Sequence, residues 1–172
     1  QLVLGPEIFA DYSGDRCNFP SVAMLESGTF LATWKETTGR AVALRGQLFD
    51  QQGNSLAPAI DLDPGHESAP KWPAAVIALP RNSGFMALWT RTGEGPMARR
   101  IGATGQLGER IYALSDAVTK EAGRPDMCLL DDGRLVAVWD DLRSTRARKG
   151  QPAAKGVRAI TGRFLTALGQ PE

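Results

Sequence analysis

Few side chains in this chain have the types and spacing to do chemistry, and they fall in four places. Asp61, Asp63, His66 and Glu67 form the one cluster of metal-ligand types. Asp-Leu-Asp-Pro-Gly-His-Glu lacks the ordered oxygen spacing of a calcium loop, so we expect no metal there and no cofactor elsewhere. His66 is the only histidine. It lies in a Pro/Gly-rich connection with no nucleophile motif beside it, which argues against Ser-His-Asp or Cys-His hydrolase chemistry.

Asp140 and Asp141 are adjacent carboxylates, with Arg143 close behind. Glycosidase chemistry needs two carboxyl groups flanking one bond, about 5 to 9.5 Å apart. Neighbours on a strand point to opposite faces, so these two make a poor catalytic pair. A salt bridge or turn cap is the simpler role. Cys17 and Cys128 fit neither a disulfide-rich scaffold nor a four-ligand zinc site. They read as one bridge or as two buried free thiols.

The fourth place is basic. Residues 1–141 hold 13 basic and 18 acidic side chains, whereas 142–172 hold 7 basic and 1 acidic. Arg143, Arg146, Arg148, Lys149 and Lys155 crowd one apolar-poor stretch, and such a loop suits an acidic protein surface, an anionic polysaccharide or lipid headgroups. Nucleic acid is disfavoured, because no aromatic-interleaved basic strand accompanies the loop.

The elements that position these residues come from an internal repeat. Leu25–Trp34, Leu79–Trp89 and Leu130–Trp139 each read as a turn, a Gly and an apolar strand closing on Trp. Before them stand short apolar runs opened by Pro20, Pro73 and Pro125, as for a strand entering a sheet. Ser27-Gly28, Asn82-Ser83-Gly84 and Asp132-Gly133 supply the positive φ of tight hairpins. The strand that ends on Trp is apolar enough to be covered on both faces. A third strand runs into turns at Gly53, Gly105 and Gly169. A fourth matches Leu56–Leu62 with Leu107–Ala113, and its third copy is found at Leu4–Ala10.

With 172 residues and 42% hydrophobic content, the chain is read as one all-β domain. Its units are 11–62, 63–114 and 115–169, with 1–10 supplying the missing strand of the third. Three four-stranded antiparallel repeats offset in this way are expected to stack as a β-propeller, in a partial ring or a 3+3 dimer. A β-trefoil is the alternative. Trp139 to Gly169 spans 30 positions against 19 and 16 in the other units, so the basic stretch is an insertion.

The run from Pro125 through Leu130, Gly133 and Leu135-Val-Ala-Val-Trp139-Asp-Asp-Leu-Arg143, followed by Gly162-Arg-Phe-Leu165 and Gly169, resembles repeats of large secreted or surface bacterial proteins. That resemblance implies propeller-like extracellular modules for adhesion or binding, and no catalytic machinery. At the position two residues after Trp the copies differ, with Glu36, Arg91 and Asp141.

On this reading the chain is no enzyme. It is a binding or scaffolding module, an accessory subunit contacting a protein partner or a second copy through the basic loop. A carbohydrate-binding lectin using Trp72, Glu36, Arg91 and Asp141 is the alternative, and a hydrolase on a propeller scaffold ranks below both. The three repeat tryptophans are expected in the core, and Trp72 on the surface. No stretch approaches the roughly 20 apolar residues that cross a bilayer, so membrane contact would be peripheral. The chain begins at Gln1 rather than Met, which reads as removal of a leader or flanking segment and an extracytoplasmic site.

Overall fold

In the computed structural model the described residues are 7–10, 16–65, 72–115, 122–143, 157–166 and 168–172. They form eleven strands and no helix: β1 (Arg16–Met24), β2 (Phe30–Thr38), β3 (Ala41–Phe49), β4 (Ile60–Asp61), β5 (Trp72–Ala78), β6 (Phe85–Arg91), β7 (Gly95–Ile101), β8 (Leu107–Ala113), β9 (Ala122–Leu129), β10 (Leu135–Arg143) and β11 (Val157–Leu165). Three antiparallel sheets result, ordered β1-β2-β3-β4, β5-β6-β7-β8 and β9-β10-β11. Each is a simple meander, because each connection is short enough to close onto its neighbour. The described strands pair only within their own sheet, whereas a trefoil barrel would need strands shared between units.

The hairpins follow the residues that permit them. Gly84 adopts φ 114°, and a Cβ there would stand 2.2 Å from the Ile101 carbonyl oxygen, so only glycine fits between β5 and β6. A β-bulge interrupts the start of β1, β5 and β9 at the X-Pro step of each. Proline cannot donate to the ladder, which breaks the pairing at the same place three times. Phe19 and Arg124, immediately before Pro20 and Pro125, are held at positive φ of 57° and 42°.

The sheets stack like blades. One core cluster packs Phe85, Ala87 and Trp89 of the second sheet on Leu31, Leu44 and Leu48 of the first. The other packs Leu135, Ala137 and Trp139 of the third on Met86, Leu88 and Ala98 of the second. In both, the face carrying Trp meets the opposite face of the preceding sheet. The innermost strands touch in order, β1 against β5 and β5 against β9. A Val76 N–H donated to Ser21 Oγ at 3.3 Å and a Thr33 hydroxyl donated to the Ala74 carbonyl at 3.4 Å join the first two sheets. Only β6, in the middle sheet, is buried on both faces along its length. The Trp-bearing strands of the two outer sheets have one face less covered.

Two expectations need correction. Strand four of the first unit shrinks to Ile60–Asp61 plus a bridge at Ser55, because Pro58 withholds a donor and parts the ladder. The N-terminal segment does not complete the third sheet among the described residues. Residues 7–10 form no strand, and Ile8 lies against Gly53 of the first sheet, its Cδ1 2.6 Å from where a Cβ would be. The third sheet ends on β11, with one bridge from Leu165 to Pro171.

Candidate functional site

Antiparallel pairing brings the start of each innermost strand level with the end of the Trp strand. Cys17 pairs with Glu36, Trp72 with Thr90 and Gly123 with Asp140. One end of the stack therefore carries these residues together with the connections from one sheet to the next. Loops on a rigid scaffold are where function concentrates, and here they open on one end.

Glu36, Arg91 and Asp141 sit at this loop end, each two residues after a tryptophan and on its face. None is free to meet a ligand as a lectin contact would. Glu36 is buried and accepts a hydrogen bond from Arg45 Nε at 2.7 Å. Arg91 holds Asp63 with both arms of the fork, Nη2 to Oδ1 at 2.6 Å and Nε to Oδ2 at 3.1 Å. Its Nη1 reaches Glu94 at 3.0 Å. The Asp63 hydrogen bonds, and then Glu94, raise the guanidinium pKa above its ordinary value despite opposing desolvation. Asp141 is buried beside Trp139.

Asp63 also accepts the Trp89 indole N–H at 2.9 Å. It leaves the first sheet just after β4 and fastens two groups of the second, so it is an inter-sheet clamp. Asp61 caps the turn by accepting the Asp63 backbone N–H at 3.0 Å. No group of three metal-ligand types converges among the described residues. His66 and Glu67 lie outside them. Sequence reasoning missed the clamp, because its partners come from different sheets and share no local spacing.

The second and third sheets build a different arrangement at their inner edges. The half-buried Trp72 ring lies under the Arg124 guanidinium, 5.3 Å from ring centroid to Cζ. Beside it Gly123 permits a close approach: a Cβ there would stand 2.6 Å from Trp72 Nε1 and 2.6 Å from Asp140 Oδ1, so no side chain fits. An indole donor and a carboxylate acceptor thus face one point from two sheets. Asp140 Oδ2 is held by Arg158 Nη1 at 2.5 Å, whereas its Oδ1 is buried and has no hydrogen-bond partner. A flat aromatic face, two guanidinium groups and an unsatisfied acceptor suit a neutral polyhydroxylated ligand, whose hydroxyls both donate and accept.

Trp72 is therefore a strand residue stacked under arginine rather than a freely exposed one. The thiols differ from expectation too: Cys17 and Cys128 are free and exposed, neither bridged nor buried. Local desolvation and then the Glu36 carboxylate raise the Cys17 pKa, which makes it a weak nucleophile at neutral pH. Arg143 closes β10 with its backbone paired to Val157. Arg146, Arg148, Lys149 and Lys155 lie outside the described residues. No described helix is long and apolar enough to cross a membrane.

The chain matches no protein family and no curated protein. Solved structures do resemble it. An endo-arabinase from Bacteroides thetaiotaomicron superposes with a TM-score of 0.51 at 19% identity, covering 89% of this chain and 59% of that one. A glycosyl hydrolase from Bacteroides ovatus gives 0.49 at 11% identity over 90% and 52%. An α-L-arabinofuranosidase of Fusarium graminearum gives 0.37 at 9% identity over 92% and 66%. The chain thus spans roughly half to two thirds of the length of these proteins.

The likeness to the endo-arabinase fold runs against the expectation of a non-enzymatic binding or scaffolding module, because the fold resembled is one that an enzyme of that name uses. The physical reason lies in how such chemistry is written in sequence. Carboxylates that flank one glycosidic bond come from separate strands and leave no local motif, so the missing nucleophile motif excluded only serine- and cysteine-type hydrolysis.

Proposed function

We propose that this chain forms three sheets of a propeller-like carbohydrate-active enzyme of the glycoside hydrolase class, and that sugar binds where Trp72, Arg124 and Asp140 meet. The observation that carries this reading is the meeting of Trp72, Arg124 and Asp140 around Gly123, where the half-buried Trp72 ring lies beside a carboxylate oxygen with no hydrogen-bond partner. The fold it shares with an endo-arabinase supports the reaction class.

In this reading the Trp72 ring stacks on an apolar sugar face at the edge of the site that Asp140 flanks. Arg158 orients Asp140 through its Oδ2, which fits a role in binding. Arg124 offers donors to ring or glycosidic oxygens. Glu36 and Asp63 stay with their arginines as structural carboxylates. An arabinose-containing polysaccharide is the first substrate to try, and a polymer of that size places the activity outside the cytoplasm.

Release of reducing ends from arabinan, xylan and galactan measures the activity directly. At least one polymer should be cleaved, with Asp140→Asn lowering the rate at least about tenfold, equivalent to about 1.4 kcal/mol. No release from any polymer, or full activity in that variant, would overturn the proposal.

A further inference from the structure

The stack has two uncovered ends, and they are of opposite kinds. Equivalent positions make this plain. Val22, Val76 and Met127 each pair with the alanine two residues before a repeat tryptophan, namely Ala32, Ala87 and Ala137. Val76 and Met127 are 6% and 7% exposed, whereas Val22 is 65% exposed and its neighbour Met24 63%. What covers this face in the second and third sheets is the sheet before it, and the first sheet has none among the described residues.

The far face of the third sheet shows the converse. Val136 pairs with Phe164 and Cys128, just as Met86 of the second sheet pairs with Arg100 and Ile77. Met86 is fully buried under the third sheet. Phe164 is 48% exposed and Ile160, further along β11, 78% exposed. An open apolar hollow of about 230 Å³ lies on the first sheet's uncovered face, lined by Cys17, Pro20, Ala32 and Trp34.

We propose that a second copy of this chain covers both faces, the exposed Val22/Met24 face of each copy docking on the Val136/Phe164/Ile160 face of the other. The contact repeats a pairing that the chain already makes twice within itself, a Trp face on the opposite face of the sheet before. It is heterologous, and two identical contacts close it into a ring of two copies.

Sedimentation of the intact chain tests this independently of any sugar. The chain should run at twice its own mass. Val22→Glu and Phe164→Glu alter exposed side chains, so both variants should keep the native circular dichroism and yet run at the single-chain mass. Mixed in equal amounts they should recover pairs, because each variant retains the face the other lacks. A wild-type chain at single mass, a ladder of higher masses, or variants that fail to pair on mixing would overturn the proposal.

Discussion

Asp63→Ala is expected to cost about 3 to 5 kcal/mol of folding stability, the range seen when one partner of a buried ion pair is removed. Two groups lose at once. Arg91, whose side chain is only 16% exposed, is left with Glu94 alone, and the Trp89 indole N–H, fully buried, has no acceptor. The contact also joins two sheets, so the variant should loosen the junction rather than one loop. Asp63→Asn keeps an acceptor for the indole while losing the charge, and should fall between wild type and alanine. Urea unfolding followed by circular dichroism gives both values. A loss below about 1 kcal/mol for the alanine variant would place the pair among weak surface contacts and contradict the clamp.

The second large effect separates tryptophans that look alike in sequence. Trp89→Phe should cost about 1.5 to 3 kcal/mol more than Trp139→Phe, the worth of a hydrogen bond to a charged group. Both rings are buried, so the change in packing is similar for the two. Trp89 donates to Asp63, whereas Trp139 Nε1 is buried with no partner, and deleting that donor removes a desolvation penalty. Equal losses in the same urea experiment would mean that the indole bond contributes nothing.

These contrasts mark what the residues reveal unaided. The three repeats, their hairpins and the core position of Trp34, Trp89 and Trp139 follow from local patterns of Pro, Gly and apolar strand, and all three rings are buried. The short β4 is also local in origin, because Pro58 interrupts the apolar run around it. The Asp63 clamp and the Trp72–Gly123–Asp140 junction depend on which sheets touch, and nothing in a single repeat encodes that. Gly123 reads in sequence as an ordinary turn residue, and only the approach of Trp72 from the neighbouring sheet gives its missing Cβ a purpose.

Four tryptophans make a direct test of the sugar site readable, because each contributes one indole N–H resonance. Titration of the ¹⁵N-labelled chain with arabino-oligosaccharides should move the Trp72 signal, assigned by its loss in Trp72→Phe, while the buried Trp34, Trp89 and Trp139 signals stay in place. An unmoved Trp72 resonance at saturating oligosaccharide, while another indole shifts or none does, would contradict a sugar site between the second and third sheets.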